Sequence, residues 1–250
     1  MNISRSISVV ALLFFCYSTA VFSAAGTTWS YSGTTGPEVW SNLSAEYELC
    51  GTGQKQSPID LTMTIPEALP WLQYNYRRVD LEIENNTHTV EVIYHSQGEL
   101  VIDDRQYRLL QFHFHAPSEH TENGLAAQME IHFVHIDSTS QLAVVAVMVD
   151  EGFKNTFFEN IISRAPTNKG TVTYVGQAIN AGELLPENPS HYRAYSGSLT
   201  TPPCSEAVRW FVLEEHIEFA RDQIENFLAI IGENARPEQS LNDRMITIND

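Results

Sequence analysis

The chain has 250 residues, of which 31 are acidic and 14 basic, giving a formal net charge of -17 at neutral pH. Hydrophobic residues make up 43% and charged residues 18%, a foldable composition that excludes disordered and collagen-like classes. A chain this acidic repels phosphate backbones and anionic bilayers, so neither nucleic acid nor a lipid surface is an expected partner.

Residues 1–23 read as a secretory signal: Arg5 supplies the positive start, residues 9–15 an apolar run, and Ser23, Ala24 and Ala25 the small residues of a cleavage site. Cleavage after Ser23 and after Ala25 fit equally. Tyr17, Ser18 and Thr19 break the apolar run, and no later segment is long enough to span a bilayer, so no membrane attachment is expected after removal of the signal. The mature chain, residues 24–250, reads as one domain bound for the periplasm or the medium. Cys16 leaves with the signal. Cys50 and Cys204 remain, an even number in an oxidising compartment, and are predicted to pair; the alternative is two buried thiols.

Strand-like runs follow at residues 79–84, 90–94, 99–102, 109–115, 129–136, 142–149 and 207–213. Residues 142–149 (LAVVAVMV) are apolar on both faces, as a central strand should be. Phe153, Phe157 and Ile161 recur at helical spacing before Pro166, and Ile217, Ile224, Phe227, Leu228 and Ile231 outline a second helix closed by Gly232. Many strands and few helices predict a mainly β domain built on one large sheet.

The chemistry concentrates in residues 111–135. Read with period two, Gln111, His113 and His115 share one face of a strand. Pro117 and the sequence Glu122-Asn123-Gly124 then turn the chain, and Glu130, His132 and Val134 share a face of the next strand. If the strands pair antiparallel, three imidazoles converge. Zinc suits three neutral nitrogens with a fourth position left for water, although copper or nickel would accept similar ligands. Gln111 and Glu130, two residues from His113 and His132, are placed to orient the ligand rings.

These motifs resemble the α-class carbonic anhydrases, in a bacterial exported form. Gln111-Phe112-His113-Phe114-His115 and Glu130-Ile131-His132 match that family's zinc ligands, and Ser118-Glu119-His120 falls where the family has Ser-Glu-His. Residues 195–203 (YSGSLTTPP) match its substrate-pocket loop. Trp29-Ser30-Tyr31, Gly36-Pro37-Glu38-Val39-Trp40, Gln56-Ser57-Pro58-Ile59-Asp60 and Asn234-Ala235-Arg236-Pro237 match further landmarks. The resemblance implies a single domain with a twisted, mostly antiparallel sheet of about ten strands, short peripheral helices and zinc in a conical cavity.

It also implies a zinc lyase that hydrates carbon dioxide reversibly to bicarbonate and a proton, by attack of zinc-bound hydroxide. His113, His115 and His132 would hold Zn2+, Thr200 and Glu119 would orient the nucleophile, and Thr201 would sit beside bicarbonate. Val134, Val144, Leu199, Val208 and Trp210 would form the apolar wall for carbon dioxide. His88 would shuttle the proton, with Tyr31 ordering water between it and the metal. A weak esterase activity and a homodimer are further implications. Ala116, Ser196 and Arg193 depart from animal members, the last placed near the cavity mouth. His120 reads as a buried structural histidine, and His95, His135, His191 and His216 receive no role. A non-catalytic binding protein of the same fold would be expected to lack a ligand, and a zinc buffer to show a His-rich tract or a closed ligand set; neither feature is visible.

Overall fold

The computed structural model describes residues 28–249. The predicted signal and its cleavage site lie outside the described residues. In chain order the strands are β1 (Thr64–Pro66), β2 (Leu72–Tyr76), β3 (Val79–Asn85), β4 (Val90–Ile93), β5 (Gly98–Ile102), β6 (Arg105–His115), β7 (Thr121–Glu122), β8 (Leu125–Ala126), β9 (Met129–Ile136) and β10 (Leu142–Glu151). They continue as β11 (Thr171–Ile179), β12 (Tyr192–Ser198), β13 (Glu206–Leu213), β14 (Ile217–Phe219) and β15 (Ile246–Ile248). The α-helices are α1 (Trp40–Leu43), α2 (Leu49–Thr52), α3 (Thr156–Ile162) and α4 (Arg221–Ile230).

Among the described residues thirteen strands form one sheet, in the order β1-β15-β12-β13-β10-β9-β6-β4-β3-β11, with β2, β5 and β14 attached beside that path; β7 and β8 form a separate hairpin. Pairing is antiparallel except at β1–β15, β10–β13 and β10–β14. The mainly β, mostly antiparallel sheet expected from the sequence is therefore present, with more strands than the expected ten. β10 lies at its centre, next to β9, because it is apolar on both faces and buried from Ala143 to Val149.

The two faces of the sheet do different work. Phe112, Phe114, Ile131, Phe133, Val145 and Phe211 point to one face and join the main hydrophobic core, which α3 and α4 cover through Phe158, Ile161 and Phe227. The opposite face carries the polar residues of β6 and β9, with a smaller cluster of Ile59, Val144, Tyr195, Val208 and Trp210 beside them.

Two helix starts differ from expectation. Asn155 Oδ1 accepts the Phe158 N–H at 2.9 Å and caps α3, so the helix begins at Thr156 and Phe153 stands outside it, 84% exposed. Ile217 belongs to β14, parallel to β10 at Val149, because Gln223 Oε1 accepts the Ala220 N–H at 3.1 Å and starts α4 only at Arg221. Gly232 closes that helix as expected, at φ +86° with its N–H on the Leu228 carbonyl. A disulfide joins Cys50 and Cys204 across 154 residues.

His135 points into the main core from β9. Its Nδ1–H donates to the Ala143 carbonyl at 3.2 Å and its Nε2 lies 2.9 Å from Tyr76 Oη. Burial drives its pKa down to about 3, with the backbone contacts opposing. An unfolded histidine titrates near 6.5. The unfolded state thus binds more protons between about 6.5 and 3, so this contribution to stability is complete above pH 6.5 and is lost as pH falls, at up to about 1.4 kcal/mol per pH unit. Urea unfolding at pH 7 and pH 5 is expected to show a shallower pH slope in His135→Gln than in the wild type. Equal slopes would assign the dependence to other groups.

Candidate metal centre

β6 and β9 pair so that His113 stands directly opposite His132, with Phe112 opposite Phe133 and Phe114 opposite Ile131. Phenylalanines therefore fill the core face while the imidazoles rise together on the other. The ring centroids of His113, His115 and His132 are 5.0, 5.2 and 4.6 Å apart in the pairs 113–115, 113–132 and 115–132. One ring nitrogen from each lies within 4.8 Å of the others.

Each imidazole is fixed by its other nitrogen. His113 Nδ1–H donates to Gln111 Oε1 at 2.8 Å, His115 Nδ1–H to the Asn234 carbonyl at 2.7 Å, and His132 Nε2–H to Glu130 Oε1 at 2.8 Å. All three partners are pure acceptors, so the proton sits on the outer nitrogen and a lone pair faces inward. The inward atoms are Nε2 of His113, Nε2 of His115 and Nδ1 of His132. His115 Nε2 is fully buried and has no hydrogen-bond partner. A buried acceptor left unsatisfied is costly, and a cation at the convergence point satisfies it. Burial, then the neighbouring imidazoles, holds His113 well below the usual histidine range, and burial lowers His115 to about 4 and depresses His132 as well. The rings are neutral, as metal ligands must be. The donor set fits a metal ion.

Glu130 anchors the surrounding shell. Its Oε1 also accepts His120 Nδ1–H at 2.6 Å, and its Oε2 accepts the N–H groups of Glu119 and His120, both at 2.8 Å. Burial pushes this carboxyl up, but His120, His132 and the hydrogen bonds they donate hold it well below the usual carboxylate range. His120 continues through Nε2 to Tyr195 Oη at 2.6 Å, and Tyr195 to Ser57 Oγ at 2.8 Å.

Glu119 sits beside the imidazoles. Its Oε2 lies 3.5 Å from His115 Nε2 and 3.9 Å from His132 Nδ1 and makes no hydrogen bond of ordinary length. Its Oε1 accepts the Arg236 N–H at 2.8 Å. Burial raises its pKa to about 7, opposed by His132, the nearby Thr200 hydroxyl and the Arg236 N–H. Thr200 is buried in the loop that follows β12, and Thr201 next to it is partly buried. Residues 195–198 of the expected pocket loop belong to β12 itself, and the loop proper starts at Leu199.

The apolar residues named from the sequence also assemble. Val134 pairs with Val144, and Val144 with Trp210, across three adjacent strands. Val144, Val208 and Trp210 are buried in one cluster against which Val134 and Leu199 pack, and the Trp210 ring is 4.9 Å from His132. Gly197 is required here, because a Cβ would run into Ser57 Oγ and within 2.7 Å of the Tyr195 ring.

His88 stacks flat on Trp29, with ring centroids 3.6 Å apart, and meets the edge of Tyr31 at 6.5 Å. Partial burial, then Lys169, lowers its pKa. Burial, then Glu119, raises that of Tyr31. Glu122 and Glu214 pair with the Arg193 guanidinium, the latter at 3.2 Å.

Sequence reasoning gave no role to three residues that build this centre. Asn234 orients His115 and donates through Nδ2 to the His88 and Phe114 carbonyls at 3.0 and 2.9 Å. Arg236 holds Glu119 and donates to Gln56 Oε1 and to the Ser57 and Cys50 carbonyls. Trp29 supports His88. All three residues stood in recognised landmarks, which were the available signal.

Comparison with known proteins identifies this arrangement. The eukaryotic-type carbonic anhydrase family profile matches residues 35–250. The chain belongs to the α-carbonic anhydrase family of carbonate dehydratases. It is 42% identical over 231 residues to a carbonic anhydrase of Neisseria gonorrhoeae, covering 90% of this chain and 91% of that one. The solved α-carbonic anhydrase of Thermovibrio ammonificans, in complex with the inhibitor sulfanilamide, superposes with a TM-score of 0.86 at 42% identity, covering 89% of this chain and 99% of that chain. Dioscorin dioA3 of Dioscorea japonica is 32% identical, covering 94% of this chain and 90% of its own length. Among the described residues no helix is long and apolar enough to cross a membrane.

Proposed function

We propose that this protein is a zinc-dependent carbonic anhydrase, exported as residues 24–250, with His113, His115 and His132 as ligands. The observation that carries the reading is the buried, unpartnered Nε2 of His115, aimed at the same point as the lone pairs of two imidazoles whose tautomers are already fixed. Three nitrogens suit a catalytic zinc, which keeps a position open. When bound, zinc supplies the Lewis acidity that makes water nucleophilic near neutral pH.

The chain's own residues do the rest. Glu119, fixed by the Arg236 N–H, accepts a hydrogen bond from the Thr200 hydroxyl. Thr200 Oγ1 then offers only lone pairs to the nucleophilic water, accepts its O–H, and turns its remaining electron pair toward the substrate. Val134, Val144, Leu199, Val208 and Trp210 give carbon dioxide an apolar surface and exclude competing water. Thr201 contacts the bicarbonate formed. The lowered pKa of His88 keeps it neutral at pH 7, able to accept the product proton and pass it to buffer. Tyr31, between Glu119 and His88, orders the intervening water. The same nucleophile gives a weak esterase activity toward activated esters.

Stopped-flow carbon dioxide hydration on the purified protein, after zinc removal and after zinc return, tests the reading. Activity should disappear and reappear with the metal and be absent in His113→Ala. A stoichiometric bound zinc with no hydration would instead support a non-catalytic binding protein of this fold. Thr200 and Glu119 argue against that alternative, since both are retained beside the histidines. His88→Ala should lower kcat on the order of 10- to 100-fold in dilute buffer, with recovery in concentrated imidazole. Loss that no buffer restores would assign His88 to structure.

A further inference from the structure

The face of the sheet turned away from the histidines carries a trough. Its floor crosses three strands, Thr247 of β15 facing Ala194 of β12 and Ala194 facing Phe211 of β13, and Ile65 of β1 faces Thr247 just outside it. In the adjoining row Ser196 faces Arg209. Thr247, Ala194 and Ser196 are short, so the floor sinks between Met245 and the Leu69-Pro70 segment and leaves a cavity of about 320 Å³.

The two ends of the trough differ in chemistry. At the sheet edge Met245 is 65% exposed and Ile65 49%, and an exposed methionine is a soft, adaptable surface for an apolar ligand. At the inner end the Arg209 guanidinium lies 5.2 Å from the Phe211 ring and donates through Nη1 to Tyr107 Oη at 3.1 Å. A guanidinium has five N–H donors, so most remain free. Among the described residues no carboxylate lines this cavity, although the chain has 31 acidic residues. The groove at Arg78, by contrast, contains Asp80 and Glu82, and the cavity at Arg236 contains Glu119, Glu233 and Glu238. Arg209 is therefore a cation on an apolar trough that no anion among the described residues lines. From Ile65 of β1 to Phe211 of β13 the row of facing residues spans three strand spacings, about 14 Å.

We propose that this trough binds a medium-chain alkyl carboxylate, its head paired with Arg209 and its tail lying across β12 and β15 toward Met245 and Ile65. A planar guanidinium pairs with a carboxylate through two parallel hydrogen bonds, and the row of short side chains beside it admits an unbranched chain.

Isothermal titration of the zinc-loaded protein with decanoate, kept below its micellar concentration, tests this. Arg209→Gln is expected to weaken binding at least tenfold, and decanol to bind the wild type at least tenfold more weakly than decanoate. Met245→Asp, at a position 65% exposed, should weaken decanoate binding similarly by setting a hydrated charge where the apolar tail would lie. Carbon dioxide hydration should be unchanged in both variants, since the trough and the histidines lie on opposite faces. Absence of binding to the wild type, equal affinity in wild type and variants, or equal binding of decanol would overturn the proposal; equal affinity across the variants would place the carboxylate elsewhere, the metal centre included.

Discussion

Glu130→Gln is expected to weaken zinc binding by about 10- to 100-fold, although the substitution changes neither size nor shape. Both oxygens of Glu130 are acceptors twice over: Oε1 for His120 Nδ1 and His132 Nε2, Oε2 for the Glu119 and His120 N–H groups. A glutamine must turn its NH2 toward one of these donor pairs. Facing the backbone pair, it opposes two N–H groups that cannot change. Facing the imidazoles, it requires His132 Nε2 to become an acceptor, which moves the ring proton to Nδ1, the atom aimed at the metal. Either arrangement leaves a buried donor unsatisfied, at a cost of about 1–3 kcal/mol. Zinc affinity measured by chelator competition, beside urea unfolding of the metal-free protein, separates the two effects. Unchanged zinc affinity in a destabilised variant would show that Glu130 supports the fold without setting the His132 tautomer.

The same geometry explains what the sequence made legible. β9 was readable to its ends, Met129–Ile136, because each residue alternates between a core and a polar face. Its pairing with β6 turned a spacing of two along the chain into a convergence across strands, so the three imidazoles were visible from period alone. β6 starts four residues before the expected 109, because Arg105, Gln106 and Arg108 mask its exposed end. β11 went unread as an exposed edge strand interrupted at Gly176, and β12 because Ala194, Ser196, Gly197 and Ser198 resemble loop residues. Asn234 and Arg236 were hidden for a different reason. They act on His115 and Glu119 through a carbonyl and an N–H, groups every residue possesses, across more than a hundred residues.

Removing the disulfide, as Cys50→Ala/Cys204→Ala, is expected to affect stability more than catalysis. The bond closes a loop of 154 residues, for which chain entropy gives a stabilisation approaching 5 kcal/mol, an upper value because unfolded chains retain structure. The neighbourhood of Thr200 has independent supports. The Leu199 N–H donates to the Ser205 carbonyl at 2.9 Å and the Cys204 N–H to the Thr201 carbonyl at 2.8 Å. Gln56 Nε2 holds the Cys204 carbonyl at 3.1 Å, and Arg236 Nη2 the Cys50 carbonyl at 3.0 Å. Arg236 also fixes Glu119, so the carboxylate facing Thr200 keeps its place when the sulfurs part. The double variant should therefore lose about 2–5 kcal/mol in guanidinium unfolding, while kcat at a temperature where it remains folded falls by less than about tenfold. The opposite pattern, an unchanged unfolding midpoint with kcat down by two orders of magnitude, would mean that the bond acts by holding Thr200 at the reacting atoms and not by restricting the unfolded chain.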